Sequence, residues 1–242
     1  MQNARFALLI VSLLFVQSVG YSQSRQRWSF GPRVGLNLAN FAGNDATTYG
    51  TGDLPANAGS VSVNRFLPGV EAGVGFMYSD ISRFGFAVDV LYSQQGNQTK
   101  FTSNNVETTR NTRLNYLAAP ITARYFLNRS GDFRPNIYAG IVPAVLLSSK
   151  QIDKPENATN TGNIDDRFKK GDIGLTAGFQ ANFRTGDRQR FTIDARYTYG
   201  VPNVSVYTSN LHNQLITVGL GYNFGIGRQY QPGDRKLPIR PR

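Results

Sequence analysis

The sequence predicts an all-β, eight-stranded antiparallel up-and-down transmembrane barrel, and three observations predict it. Eight stretches of about ten residues alternate apolar with small or polar side chains, the gaps between them alternate long and short, and an export-type leader precedes them. Side chains of a strand point alternately to opposite faces, so each stretch has one oily face and one wet or crowded face. The last stretch is the cleanest: Ile216, Val218, Leu220, Tyr222 and Phe224 share one face, Thr217, Gly219, Gly221 and Asn223 the other. A lipocalin-like barrel turns its apolar face inward. It would not gather Arg33, Glu71, Asp89, Asp194 and Arg196 on the opposite face. A soluble β-sandwich has no need of strict long–short alternation.

The first strand is predicted over Trp28–Asn40, with Phe30, Pro32, Val34, Leu36 and Leu38 outward and Arg33 among the inward residues. A polar loop over 41–65 follows. Strand two spans Phe66–Tyr78, with Glu71 facing in between glycines. A tight turn leads to strand three, where Phe84, Phe86, Val88, Val90 and Tyr92 face lipid and Asp89 faces in. A long loop is expected over 94–112. Strand four, Leu114–Leu127, contains Pro120, which removes a ladder donor and predicts a bulge or break. Strand five, Arg134–Ser148, alternates weakly and holds a second irregularity, Pro143. The longest charged loop runs over 149–171. Strand six (Asp172–Arg184) restores the pattern, strand seven sets Phe191, Ile193, Ala195, Tyr197 and Tyr199 against Thr192, Asp194, Arg196 and Thr198, and strand eight covers Gln214–Ile226. Long loops of outer-membrane barrels face outward and short turns face the periplasm, which an even strand number delivers with both termini periplasmic.

Residues 1–22 read as a signal peptide: Arg5, then the apolar run Phe6–Val16, then Gly20 and Ser22 before a cut at Gln23. That run is too short to cross a bilayer comfortably. Residues 23–226 form the barrel, and 227–242 a basic, proline-containing tail expected in the periplasm. There is no cysteine, so lipoprotein attachment, disulfides and thiolate metal sites are excluded. The net charge is +11, yet the basic residues are scattered, with no basic helix or aromatic RNA-binding signature. Nucleic acid is therefore not the expected partner; the positive balance suits either contact with anionic lipid head groups or surface polysaccharide, or solubility alone, and the expected partners are outer-membrane lipid and lipopolysaccharide.

An eight-stranded barrel has an interior only wide enough for its own side chains. Arg33, Glu71, Asp89, Arg124, Asp194 and Arg196 are predicted to meet there, three charges of each sign. Buried charges need partners, so a salt-bridge network filling the lumen is expected; a narrow small-solute channel is the alternative. No catalytic, cofactor or metal residues are assigned. The single histidine, His212, reads as a solvated loop residue beside Ser209 and Asn210; a lipid-modifying enzyme would need it ordered with an acid and that serine. Asp153, Glu156, Asp165 and Asp166 match no calcium-loop spacing and sit among lysines and arginines.

Phe30-Gly-Pro-Arg-Val-Gly-Leu-Asn-Leu-Ala-Asn-Phe41, Tyr116-Leu-Ala-Ala-Pro-Ile-Thr-Ala-Arg-Tyr125, Asp172-Ile-Gly-Leu-Thr-Ala-Gly178 and Gly219-Leu-Gly-Tyr-Asn-Phe224 together resemble the Bacteroidetes outer-membrane β-barrel family that includes the PorT-like proteins. The resemblance implies a non-enzymatic integral barrel of the outer membrane. It also implies a structural or accessory role, with type IX-like secretion or another surface system, and with the barrel insertion machinery and a secretion-system or periplasmic partner. Typical members of such barrels end on an aromatic residue, whereas here Phe224 is followed by residues 225–242.

Overall fold

The computed structural model describes residues 27–46, 58–79, 83–103, 106–128, 131–155, 159–186, 188–207 and 209–226. The leader, its cleavage site and the basic tail lie outside these residues.

Eleven strands form one antiparallel sheet: β1 (Arg27–Ala42), β2 (Ala58–Arg65), β3 (Leu67–Ser79), β4 (Phe84–Ser103), β5 (Val106–Ala118), β6 (Ile121–Phe126), β7 (Asn136–Lys154), β8 (Asn160–Asn163), β9 (Gly171–Arg184), β10 (Gln189–Gly200) and β11 (His212–Ile226). Eight staves close the ring in the order β1, β3, β4, β5 with β6, β7, β9, β10, β11. The seam is the β1–β11 ladder, running from Trp28↔Ile226 to Ala42↔His212. β2 and β8 stand off the ring, on β4 and β7.

Alternation is real on every stave, and its oily side faces out. Leu36 is 68% exposed, Leu175 55% and Val218 54%, while their neighbours Asn37 and Thr217 are fully buried. Exposing so many large apolar side chains is unfavourable in water and favourable in lipid. The outward run from Ile173 to Phe183 covers about 33 Å of strand, hence about 25 Å of membrane once tilted. Aromatics ring the turn end of the wall: Trp28 packs edge-on to Tyr78 at 4.9 Å and to Phe86 at 5.6 Å, and Phe30 lies 6.2 Å from Phe76 and 6.0 Å from Phe224. Rings with an apolar body and a polar tip favour such an interface.

Pro120 does split its stave. β5 ends at Ala118 and β6 begins at Ile121, while Ala119 N still donates to the Pro143 carbonyl at 2.8 Å and Asp89 N to the Pro120 carbonyl at 3.0 Å. The two prolines thus sit where the ladder between neighbouring staves changes hands. The neighbouring register shifts by one residue, from Asn115↔Ser148 to Tyr116↔Leu146.

Three expected loops are corrected. The segment 94–112 is a hairpin in which β4 and β5 pair without interruption from Leu91↔Ala118 to Ser103↔Val106. The segment 149–171 begins with the end of β7, then holds β8 and a 3-10 turn at Asp165–Arg167. The segment 41–65 contains β2. These stretches are polar on both faces because they stand beyond the lipid-facing band, where a strand needs no oily side. Polar cross-strand pairs hold them: Gln98 to Asn111 at 3.0 Å, Lys100 to Glu107 at 2.9 Å, and the two-pronged Arg110 to Asp153 at 2.8 and 2.9 Å. Strand five runs on further than expected, to Lys154, and its weak alternation has a structural counterpart: the inward residues Val142, Ala144 and Leu146 of β7 are themselves apolar.

Candidate functional site

The lumen is filled in layers. Nearest the turns, Phe126 packs with Met77 and Ala87, and the Arg134 guanidinium lies 4.3 Å from the Phe126 ring centre. Above this layer sit the six charged residues singled out in the sequence, all turned inward and screened from solvent.

Arg196 is their hub. Its Nη2 donates to Glu71 Oε2 at 2.5 Å, and its Nη1 lies 3.7 Å from Asp194 Oδ1. Arg33 Nε lies 3.6 Å from Asp89 Oδ1, and Arg33 Nη1 donates to Thr192 Oγ1 at 3.1 Å. Tyr138 closes the set from β7, donating its hydroxyl to Asp194 Oδ2 at 2.6 Å. Arg124 departs from the expected ion pairing. Its Nη1 donates to Gln180 Oε1 at 2.7 Å and Asn136 Oδ1 at 3.3 Å, and its guanidinium stacks 4.4 Å from the Tyr138 ring centre. Neutral amides and an aromatic face therefore hold this cation.

Glycines on the inner wall make room for these side chains. A Cβ on Gly75 would sit 2.1 Å from Asp89 Oδ1 and 2.7 Å from Arg33 Nε; on Gly221, 2.1 Å from Arg33 Nη1; on Gly178, 2.6 Å from the Tyr138 hydroxyl. Higher up, polar links cross the lumen. Thr217 donates to Asn37 Oδ1 at 2.9 Å, Asn37 donates to Ser93 Oγ at 3.1 Å, and Asn213 Nδ2 bridges Asp172 Oδ2 at 2.8 Å and the Tyr116 hydroxyl at 3.2 Å.

The topmost layer was not foreseen. Phe41, Leu114, Tyr116, Val142, Ala144 and Leu146 line the long-loop mouth, and Ala46, Ile164, Phe168, Val204 and Leu211 descend onto them from the connecting segments. Phe41 stacks on Phe168 at 6.1 Å. Backbone bonds tie this lid together: Lys169 N to Val204 O at 2.8 Å, Val206 N to Arg167 O at 3.0 Å and Val204 N to Leu211 O at 2.9 Å. Asp45 anchors it from the other side, accepting from Ser209 N (3.0 Å), Ser209 Oγ (3.3 Å) and Asn210 N (2.7 Å). The sequence signal was the weak alternation of strand five, whose inner face turns apolar where it meets the lid.

His212 is corrected from a solvated loop residue to the first residue of β11. Nδ1 lies 3.2 Å from the Pro202 carbonyl, Nε2 lies 3.1 Å from Asn210 Oδ1, and the ring stacks on Tyr199 at 5.6 Å. Ser209 gives its hydroxyl to Asp45, so serine and histidine are each engaged elsewhere. Of the loop acids, Asp153 pairs with Arg110, and Asp165 accepts from Ser149 N and Oγ, which hold its carboxyl below the usual range. Glu156 lies outside the described residues. No cluster of three metal-ligating side chains occurs among the described residues.

This arrangement, a closed antiparallel ring with an oily exterior and a filled polar interior, defines an integral outer-membrane β-barrel. Residues 18–206 match the family described as outer membrane protein beta-barrel domain, and the chain belongs to that family. It is an outer-membrane protein. Similar solved structures include Neisserial surface protein A (11% identity, 81% of this chain and 96% of that one, TM-score 0.41) and OprG from Pseudomonas aeruginosa (8%, 85% and 97%, 0.45). The attachment invasion locus protein Ail of Yersinia pestis is also similar (13%, 81% and 98%, 0.41). No curated protein matches the chain.

Proposed function

We propose that this protein is a non-conducting, non-enzymatic barrel whose working surface is its long-loop end, with that end outside the cell and both termini in the periplasm. The observation that carries the reading is the double closure of the lumen, by the Arg196 layer and by the Phe41–Phe168 lid. A narrow solute channel needs a continuous wet path, and both layers oppose one. What the fold offers instead is the sheet of β2, β4, β5, β7 and β8 standing above the membrane band. Its partners would be lipid and lipopolysaccharide at the wall, the insertion machinery during assembly, and a secretion or surface system at the raised sheet. The PorT-like resemblance supports an accessory role in type IX-like secretion.

The test is deletion of the gene in its native host, with secreted and periplasmic proteins compared by mass spectrometry. Cargo retained in the periplasm and restored by complementation is the expected result. Unchanged secretion removes the accessory role. Discrete conductance of the purified barrel in planar bilayers removes the non-conducting reading.

A further inference from the structure

The outer wall carries an open apolar groove among the described residues. A groove of about 580 Å³ crosses β4, β5, β7 and β9 at the level of the two prolines, lined by Val90, Leu117, Pro143, Val145, Ile173 and Pro202. Its recess has a local cause. Ala119 is small, Gly171 has no side chain, and the stave breaks at Pro120, so the wall recedes where its neighbours carry bulky residues. Its walls are apolar and it opens sideways, onto hydrocarbon.

Directly above it, the charge pattern is unusual. Arg113 on β5 and Lys150 on β7 are register partners, so both leave the outer face at one level, with the Arg113 guanidinium turned across β4 towards β3. Arg113 Nε is buried and has no acceptor among the described residues, and Nη2 reaches only the Pro68 carbonyl at 3.5 Å. Asp165, the acid whose charge Lys150 feels, already accepts from Ser149 N and Oγ. Lys169 and Lys170 are exposed just before Gly171, on the same side of the barrel. Arg113 precedes Leu117 by four residues, about 13 Å of strand. The cations therefore stand at head-group height while the groove lies at acyl-chain height.

We propose that this wall is a binding site for one phosphorylated, multiply acylated glycolipid of the outer leaflet. An acyl chain fills the groove between Val90 and Pro202, and a phosphate beside Lys150 draws in the Arg113 guanidinium and gives its Nε an acceptor. A second anionic group on the same molecule reaches Lys169 and Lys170. The inference rests on the outward orientation of the long-loop end proposed above.

The test uses the full purified barrel in detergent, titrated by native mass spectrometry with diphosphoryl lipid A, dephosphorylated lipid A, phosphatidylglycerol and inorganic phosphate. Three variants accompany the wild type. R113Q/K150Q removes the cations. G171F fills the groove from a position where an added Cβ meets nothing within 4 Å. V218F, on the far wall, is the control. Heat-modifiable gel mobility checks that each variant is folded.

Lipid A should bind at least tenfold more tightly than phosphatidylglycerol or dephosphorylated lipid A. R113Q/K150Q and G171F should each lose about tenfold and V218F nothing, and inorganic phosphate should not displace the lipid. Equal binding of all three lipids, or lipid A binding unchanged in both site variants, overturns the proposal. Asn163→Cys, in a chain with no native cysteine, separates the two possible failures. Labelling of intact cells by an impermeant maleimide places the long-loop end outside, so that absent binding then counts against the site alone. Labelling only after permeabilisation counts against the orientation.

Discussion

The Tyr138 hydroxyl reaches Asp194 from β7 to β10, spanning β9 at Gly178, whose missing side chain leaves the passage open. One phenol thereby joins two staves that share no ladder, and its ring carries the Arg124 guanidinium on the way. Tyr138→Phe should cost about 1–3 kcal/mol by leaving a buried carboxylate oxygen without its donor. Gly178→Ala should cost a similar amount, about 1–3 kcal/mol, by crowding the phenol. Urea unfolding in lipid vesicles measures both, and a loss below 0.5 kcal/mol in each would show the bond to be incidental.

Arg196 and Glu71 make the shortest ion pair in the lumen. Removing one partner leaves the other charge buried alone, so Arg196→Met should destabilise the barrel by about 3–5 kcal/mol. The double variant Glu71→Leu/Arg196→Met should recover part of that loss, because Glu71 no longer stands unpaired, while Asp194, 3.7 Å from Arg196 Nη1, still loses its cation. A double-mutant cycle in the same unfolding assay reads the coupling directly.

The six lumen charges were legible because strand alternation dictates which side each residue takes. What they bind was less legible. Arg124 shows why: its sign suggested a carboxylate, but the register sets Gln180 and Asn136 beside it. The raised sheet was illegible for a different reason. Alternation of oily and polar residues reports contact with lipid, and Gln94–Asn115 pairs just as regularly without touching it. His212 and the lid escaped because their partners, Pro202, Asp45 and Phe168, come from segments whose fold no local pattern encodes.

Leu211 is completely buried among lid residues from several distant segments. Leu211→Ala should cost about 2–5 kcal/mol, yet planar-bilayer recordings should remain silent because the Arg196 layer still blocks the lumen. Conductance from Leu211→Ala alone would mean the charged layer does not seal.

Asp165 predicts a pH response confined to the raised sheet. Its folded carboxyl titrates below its ordinary value of 3.8, chiefly because the Ser149 amide donates to it. A depressed folded pKa contributes stability that is complete above the unfolded value and disappears as pH falls through the folded one. Protection of the Ser149 amide, relative to the intrinsic exchange rate at each pH, should therefore hold from pH 8 to about 5 and fall only below about 4. In Asp165→Asn that acid-specific loss of protection should be absent.

The β1–β11 ladder makes completion of the chain a condition of residence in the membrane. Arg27–Ala42 is the first strand to be synthesised, and one of its two sides waits for His212–Ile226, the last strand to be made. Until that partner arrives, a row of amides and carbonyls faces hydrocarbon, where each unpaired group costs several kcal/mol. A truncated copy therefore has no comfortable place to stop. The geometry of the ring itself acts as a proofreader, admitting whole molecules and leaving unfinished ones to the periplasm.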